Sequence, residues 1–214
     1  EEALRTVKEN IVGAAVLLSH PSQALPLLRE AYAAASGEDK VTYALVLAVM
    51  GDATGGDALI AAVEDQPALD KGWNFRGMGQ FGASMSRLDA LILGLGLAGE
   101  KRAAPVIIEK LKLLDASSEF SHHRAIAVAL EMLADRRAVA PLAELLAKPG
   151  MTGHVLHGPG VTDRSKSLRE LILARVLYRL GDHERTGEQI LRKYVNDVRG
   201  VYARHAHAVL CENK

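Results

Sequence analysis

A repeated pattern constrains the fold of this chain more than any other feature of its sequence. Residues 97–111 read LAGEKRAAPVIIEKL, and residues 133–146 read LADRRAVAPLAELL. The leucine, alanine and proline positions match at an offset of 36 residues, and the acidic and arginine positions match at 35, so one residue slips in the turn. A period of about 20 to 50 residues is typical of arrays built from stacked supersecondary units. The chain is therefore expected to consist of repeats.

Each repeat has an apolar segment, a short turn and a second apolar segment. Within residues 121–133 the apolar side chains recur at three- and four-residue steps, which places them on one stripe of a helix. Pro141 falls in the first turn of the second segment, where its missing amide hydrogen does no harm. Ser86 and Ser167 each precede a carboxylate by three residues, a pattern that predicts helix starts. The repeat unit is therefore predicted to be a helical hairpin.

The composition agrees with helices packed through small side chains. The chain contains 33 alanines and 31 leucines, whereas aromatic residues make up only 4 %. Related turns recur at Gly51, at Gly181 and more loosely near His20, so that five copies can be aligned. Because a lone hairpin cannot bury both of its apolar stripes, neighbouring hairpins must stack and share a continuous core. The predicted fold class is all-α.

These turns resemble the HEAT-repeat family in its short bacterial form, whose units read L-G-D-x-R-A-x-P-x-L between the two helices. The match is good in residues 97–107 and 133–142, partial around Gly51 and Gly181, and weak near His20. The resemblance implies a right-handed α-α superhelix, or solenoid, of about five helical hairpins, forming a single domain over residues 1–214. It also implies that first helices form one surface and second helices the other, but it says little about chemistry.

Two segments exceed the repeat length, at residues 66–85 and 148–165. Both lie between the second helix of one unit and the first helix of the next. In a solenoid they should emerge from the same edge, separated by two helix spacings of about 10 Å, or about 20 Å in all. We call them the first and second insertions. Their expected separation is short enough for them to form one composite surface.

The first insertion holds three of the chain's aromatic residues, Trp73, Phe75 and Phe81, among four glycines. Because glycine-rich chain loses much entropy on ordering, these rings need something to pack against. Three interpretations remain open: a satellite cluster on the chain's own helices, a docking surface for another domain or protein, or a ligand pocket. In the docking interpretation Trp73 and Arg76 are anchors of the kind enriched at interface centres.

The second insertion contributes His154 and His157, which the partner-binding hypothesis groups with Trp73, Phe75, Arg76 and Phe81. Two imidazoles three residues apart can share a metal ion, but a closed site needs a third or fourth ligand. Apart from Asp163, no cysteine or carboxylate lies close enough in sequence to supply one. The ordinary interpretation of both histidines is that they are solvated loop residues, and no metal ligand is assigned.

Histidines near two predicted helix starts supply the alternative function. His123 and His205 occupy comparable places two units apart. HEAT-repeat deoxyhypusine hydroxylases hold two irons with His-Glu pairs at such starts, and here Arg124 and Ala206 stand where the glutamates would be. The alternative is therefore a metal-binding HEAT-repeat enzyme that uses helix-start histidines. In the ordinary interpretation these histidines cap or line a helix start.

Charge and motif content narrow the classes of function. The chain has 26 basic and 26 acidic residues, and the predicted second helices mix both signs. HEAT-like DNA glycosylases bind duplex through a basic concave surface, so nucleic-acid binding is not expected here. No nucleophile elbow, Walker loop or paired-carboxylate signature is found, and the GxGxxG letters at 77–82 follow no predicted strand. The domain is not expected to be catalytic by itself or to hold a cofactor.

The sequence also suggests a compartment. No apolar run approaches the roughly 20 residues that a membrane span needs, and no signal peptide is visible. The single cysteine, Cys211, fits a reducing compartment, which favours the cytoplasm.

A second resemblance concerns residues 72–82, 86–96 and 118–131, which are similar to C-terminal helical regions of some bacterial flavin-dependent oxidoreductases. This resemblance implies that the chain is part of a longer polypeptide whose flavin domain lies upstream. The predicted function is a non-catalytic scaffold for protein–protein or interdomain contacts. The insertions and the second-helix surface are expected to hold the partner.

Overall fold

The computed structural model describes residues 2–7, 11–74, 86–156 and 164–212. All regular structure within these ranges is helical, which confirms the all-α prediction. The α-helices are α1 (Glu2–Thr6), α2 (Ile11–Ser19), α3 (Pro21–Ala34), α4 (Gly37–Val49), α5 (Gly56–Glu64), α6 (Arg87–Leu97), α7 (Ala104–Lys112), α8 (Phe120–Leu133), α9 (Val139–Ala147), α10 (Arg164–Arg179), α11 (Thr186–Val195) and α12 (Gly200–Glu212). Short 3-10 turns at Ala53–Gly55, Lys101–Ala103 and Arg136–Ala138 precede α5, α7 and α9.

Alternate helices form two rows. In the first row α4 packs against α6, α6 against α8, and α8 against α10, while in the second row α5 packs against α7 and α7 against α9. The central core runs between the rows from α4 to α10 and includes the fully buried Leu59, Leu91, Ile107 and Ile126. Smaller clusters join α3 to α4 at one end and α10 to α11 and α12 at the other.

Small residues allow the first-row helices to approach closely. A Cβ added at Gly96 of α6 would lie 2.8 Å from the Cα of Ala129 in α8, and one added at Gly94 would lie 2.7 Å from the side chain of Leu45 in α4. At separations this short, a side chain at either of these two positions of α6 would force its neighbour to move. The high alanine and glycine content is therefore used where the helices of the first row cross.

The repeated turn has a physical explanation in how each first helix ends. Gly51, Gly99 and Gly181 have φ angles of +80°, +65° and +117°, in the left-handed region that favours glycine. At each turn the amide of the next residue donates to a carbonyl in the last turn of the helix, as in the 3.0 Å bond from Asp52 N to Leu47 O. Glycine therefore closes the first helix of each of these hairpins.

The acidic residue of the turn opens the segment that follows. The side chains of Asp52, Glu100 and Asp135 each accept a hydrogen bond from the backbone N two residues later, at 2.8, 3.1 and 2.9 Å. These carboxylates satisfy amides that have no partner within the 3-10 turn. The glycine thus ends one helix and the acid caps the segment that follows. Each turn needs both residues, which explains why they recur together.

Most of the predicted helix starts are confirmed. Pro105 and Pro141 lie in the first turns of α7 and α9, and the side chain of Ser86 accepts a 2.9 Å bond from Asp89 N at the start of α6. The predicted start at Ser167 is wrong, because α10 already includes Arg164. The Ser167 hydroxyl instead donates to Gly153 O at 3.0 Å, so it holds the second insertion and caps no helix.

The turn after α8 departs from the pattern and offers a test. Ala134 occupies the glycine position with φ +52° and ψ +38°, a left-handed conformation that strains a side chain. We expect Ala134→Gly to raise the free energy of unfolding by about 0.5 to 1 kcal/mol, measured by urea denaturation.

The matched control is Gly99→Ala. Its φ is +65°, and an added Cβ would meet no atom within 4 Å, so only backbone strain is introduced. We expect it to lower stability by about 1 kcal/mol. A loss of stability in Ala134→Gly would contradict this account of the turn.

Candidate functional site

The described part of the first insertion is fastened to the start of α8. Trp73 N donates to Ser121 Oγ and Ser121 N donates to Trp73 O, both at 3.0 Å. The amide of Phe120 donates to Asn74 Oδ1 at 2.8 Å, so two open amides of the helix start gain partners. The Trp73 indole meets the Phe120 ring edge-on, with centroids 5.7 Å apart. Trp73 is thus held through both its backbone and its ring.

A buried histidine joins this insertion to α6 and α8. His122 is fully buried, with Nδ1 2.8 Å from Asp89 Oδ1 and Nε2 3.0 Å from the carbonyl oxygen of Asp70. The Asp70 carboxylate in turn accepts a 3.2 Å bond from Leu88 N at the start of α6. One imidazole therefore ties the insertion to two neighbouring helices of the first row.

The two partners of His122 indicate its charge state. A carbonyl oxygen only accepts hydrogen bonds, as does an ionised carboxylate, so both ring nitrogens must carry hydrogen for both bonds to form. Burial opposes the positive charge most strongly, but the hydrogen bonds and charges of Asp89 and Asp70 outweigh it and raise the pKa of His122 above its ordinary value. The group is therefore a buried imidazolium–carboxylate pair.

His123, its neighbour in sequence, is in the opposite state. Its Nδ1 lies 2.9 Å from the carbonyl oxygen of Glu119, and its buried Nε2 has no hydrogen-bond partner among the described residues. Burial, reinforced by the charge of Arg169, lowers the pKa of His123 to about 4. His123 is therefore a neutral residue packed at the start of α8, in agreement with the ordinary interpretation of this histidine.

The second insertion is held by a buried carboxylate of α10. Glu170 Oε2 accepts hydrogen bonds from Gly153 N at 2.6 Å, His154 N at 2.9 Å and Tyr194 Oη at 2.9 Å. The His154 Nδ1 atom is 3.1 Å from both carboxylate oxygens, and its ring meets Tyr194 edge-on. His154 is therefore a partly buried member of this network, which differs from the solvated loop residue of the ordinary interpretation.

Asp197 and Arg199 complete the attachment of this insertion. Asp197 Oδ2 accepts from Val155 N at 2.7 Å, and Arg199 donates to Gly153 O at 2.9 Å and to Ser167 Oγ at 2.6 Å. Burial would raise the pKa of Asp197, but hydrogen bonds from Arg199 and backbone amides hold it below its ordinary value. The ionised pair fixes Arg199 at the start of α12.

Between α8, α10 and α12 these attachments border a groove of about 710 Å³. We call it the arginine groove. Its lining comprises four arginines, one histidine, three aromatic residues and four aliphatic residues: Arg124, Arg164, Arg175, Arg199, His205, Trp73, Phe120, Tyr202, Leu168, Leu171, Ile172 and Val201. No carboxylate is among the described residues that line it.

The arginines differ in how they are neutralised. Arg175 donates to Glu131 at 2.7 Å, but Glu131 also accepts from Arg179, so one carboxylate serves two guanidinium groups. Arg124 is exposed and forms no ion pair with any described residue. Burial lowers the pKa of His205, and the charges of Arg175 and Arg179 lower it further. The described residues that line the groove therefore include basic side chains and no acidic ones.

The predicted partner-binding residues fall in three places. Trp73 lines the groove, whereas His154 lies behind it, in contact with Tyr194, whose ring meets that of the groove residue Tyr202. The remaining predictions, Phe75, Arg76, Phe81 and His157, lie outside the described residues. Arg164, which the sequence placed in the second insertion and the structure places at the start of α10, lines the groove together with Trp73.

Sequence reasoning missed the arginines of this groove. Those of α10 carried a signal, since Arg164, Leu168, Ile172 and Arg175 recur at helical steps and share one face. Arg124 and Arg199 carried none, because only the packing of α8, α10 and α12 brings them to that face.

Within the described ranges, no three His, Cys, Asp or Glu side chains cluster in a way that would hold a metal ion. Among the same residues, no helix has both the length and the apolar character that crossing a bilayer requires.

Comparison of the chain with protein-family models, with curated proteins and with solved structures gives no match.

The His122–Asp89 pair predicts a pH-dependent stability. Because folding raises the pKa of His122, its contribution is complete below about pH 6.5 and is lost as pH rises through the raised value. Asp89→Asn keeps an acceptor but removes the charge. We expect it to lower the free energy of unfolding by about 1 to 3 kcal/mol at low pH, and by less at high pH.

Urea denaturation at about pH 5.5 and about pH 9 measures this difference. The control is Asp57→Asn, which breaks an exposed ion pair with Arg102 and should give no such trend. A difference between Asp89→Asn and the wild type that stays constant over this range would show that His122 is not charged.

Removing the Glu170 carboxylate should release the second insertion. Glu170→Ala leaves the amides of Gly153 and His154 without their acceptor, whereas the Tyr194 hydroxyl keeps Ser167 O at 3.0 Å, so we expect a loss of about 2 to 3 kcal/mol. Hydrogen exchange at Gly153 and His154 should accelerate by at least an order of magnitude.

Tyr194→Phe, which removes one hydroxyl, is the milder variant and should cost about 1 kcal/mol. Glu144→Ala on the exposed face of α9 serves as the control and should change stability by less than about 0.5 kcal/mol. Unchanged exchange at Gly153 in Glu170→Ala would refute this attachment.

Proposed function

We propose that this chain is a non-catalytic HEAT-like helical-repeat scaffold that holds a protein partner or another domain of the same polypeptide. The HEAT-like part of the proposal rests on the recurring turn and on the successive packing of α4, α6, α8 and α10 beside that of α5, α7 and α9. A right-handed solenoid of about five hairpins accommodates both features. In such a fold the rows of first and second helices form two separate surfaces.

The observation that carries the binding function is the arginine groove. Arginine and aromatic residues are the types most enriched at the energetic centres of protein interfaces. Here they lie together on a concave surface formed by three helices, and buried polar networks fix its edges at Trp73 and Arg199. A partner that fills this groove therefore meets a preorganised surface and loses less conformational entropy on binding.

The partner can belong to the same polypeptide. The resemblance of residues 72–82, 86–96 and 118–131 to C-terminal regions of flavin-dependent oxidoreductases favours this version, in which the groove receives a surface of an upstream flavin domain. Trp73 stands within the first of these runs and lines the groove. The reading frame upstream of Glu1 distinguishes the two versions.

Partner capture tests the proposal with a matched pair of variants. Arg124 of α8 lines the groove and Arg204 of α12 does not, although both are exposed and neither forms an ion pair with a described residue. The protein is immobilised, exposed to extract of its source cells, and the retained proteins are identified by mass spectrometry. The identified partner is then purified and its Kd is measured.

We expect Arg124→Glu to weaken binding of the purified partner by tenfold or more, because charge reversal acts inside the contact. Arg204→Glu should change the Kd by less than about twofold, and neither variant should shift Tm by more than a few degrees. Failure of the wild type to retain any protein above the level of Arg124→Glu would contradict the proposed function.

A further inference from the structure

We infer that the arginine groove recognises an acidic peptide segment of the partner, in which carboxylates flank apolar side chains. This inference rests on the proposed function and specifies the chemistry of the partner. It depends on three properties of the groove: the sign of its charge, the arrangement of its apolar surface and the distance over which its cations are spread.

The charge of the lining selects an anion. Four guanidinium groups and one imidazole line the groove, and no carboxylate lines it with them among the described residues. Glu131 and Asp197 pair with Arg175 and Arg199, but neither belongs to the lining. A guanidinium group can bind a carboxylate through two parallel hydrogen bonds. Arg124, which forms no ion pair with a described residue, and Arg175, which shares Glu131 with Arg179, therefore favour aspartate and glutamate in the ligand. Arg199 already donates to Asp197, Ser167 and Gly153 and adds a positive charge that is held in place.

The apolar residues of the lining favour a ligand that carries apolar side chains as well as charge. Leu168, Ile172 and Val201 contribute aliphatic surface between the arginines, and Val201 is 60 % exposed. A purely anionic ligand would leave this surface against water. A segment that also carries leucine or phenylalanine would cover it and gain about 25 cal/mol for each Å² of apolar area buried.

The spread of the cations matches a length of peptide. Arg164 and Arg175 are eleven positions apart on α10, which corresponds to about 16 Å along the helix axis. An extended chain covers that distance in about five residues. Arg124 on α8 and Arg199 before α12 lie on either side of this line. A single phosphate can reach only one or two of these groups, whereas a short peptide can extend along the whole line.

Nucleic acid fits these observations less well. The whole chain has zero formal net charge, so it has no overall positive charge with which to attract a run of phosphates. Glu131 and Glu212, which both pair with Arg179, stand beside the groove and would repel a continuing backbone. The contact is therefore suited to a local cluster of carboxylates.

Selection from a library of random twelve-residue peptides displayed on phage tests the inference directly on the groove. The wild-type protein is the target, and Arg124→Glu is the counter-target that removes peptides binding elsewhere. We expect the retained peptides to be rich in aspartate and glutamate and to contain leucine or phenylalanine. Enrichment of neutral or basic sequences, or no enrichment, would overturn the inference.

The most enriched peptide is then synthesised with a fluorescent label, and its Kd is measured by anisotropy. We expect Arg124→Glu to weaken binding at least tenfold, Val201→Ser to weaken it about threefold, and Arg204→Glu to leave it within about twofold. Replacing its acidic residues with glutamine or asparagine should weaken binding at least tenfold. If the peptide with glutamine or asparagine in place of its acidic residues bound equally well, the contact would be apolar only. If the oligonucleotide dT12 bound more tightly than the acidic peptide, the groove would be a nucleic-acid surface. Either result overturns the inference.

Competition separates this inference from the proposed function. If the acidic peptide displaces the captured partner, both hold. If partner capture depends on Arg124 but the peptide does not compete, the acidic-segment inference fails and the scaffold function stands. If no partner is captured above the level of Arg124→Glu, the proposed function fails whether or not the peptide binds.

Discussion

Buried carboxylates that fasten the two insertions to the first row of helices are the interactions on which the candidate site depends. Asp89 holds His122, which holds the backbone of Asp70, while Glu170 holds the amides of Gly153 and His154. These bonds act together with those of Trp73 to Ser121, and with those that Ser167 and Arg199 donate to Gly153 O. A buried carboxylate without partners would be strongly destabilising, so each network favours one arrangement of its insertion. Each network therefore also favours one arrangement of the wall of the arginine groove that its insertion forms.

The two networks attach their insertions through different chemical groups. At the first insertion a histidine between two acceptors must carry a positive charge, so the attachment is an ion pair and its strength depends on pH. At the second insertion Glu170 accepts mainly from neutral donors, two amides and the hydroxyl of Tyr194. The amides and the hydroxyl keep their hydrogens near neutral pH, so these three bonds to Glu170 persist there, beside the contact of Glu170 with the imidazole of His154.

Sequence reasoning succeeded where the structure is decided locally. The turn glycines and acids were visible because their tasks, a left-handed backbone and a cap two residues away, involve only neighbouring residues. The helix start predicted at Ser167 was wrong because its hydroxyl bonds to Gly153 O, a contact that depends on tertiary packing and not on the neighbouring sequence. The attachments of both insertions were not predictable for the same reason, since Asp89 and His122 are 33 residues apart. Only the α10 part of the groove, spaced at helical steps from Arg164 to Arg175, could be predicted from the spacing of its residues.

The distribution of charge distinguishes the groove, on the first row of helices, from the second row. On the second row opposite charges alternate and neutralise one another, as Lys112 does with Glu109. The described lining of the groove contains four arginines and no carboxylate, because Glu131 and Asp197, the partners of Arg175 and Arg199, do not line it. A chain with no net charge therefore still has a concave surface rich in basic side chains. Neutrality of the whole chain excludes binding driven by a broad field, but it does not prevent recognition at short range, where the arrangement of individual charges decides. Under the proposed function, a partner would therefore need complementary carboxylates at matching positions, and a high overall charge would gain it little.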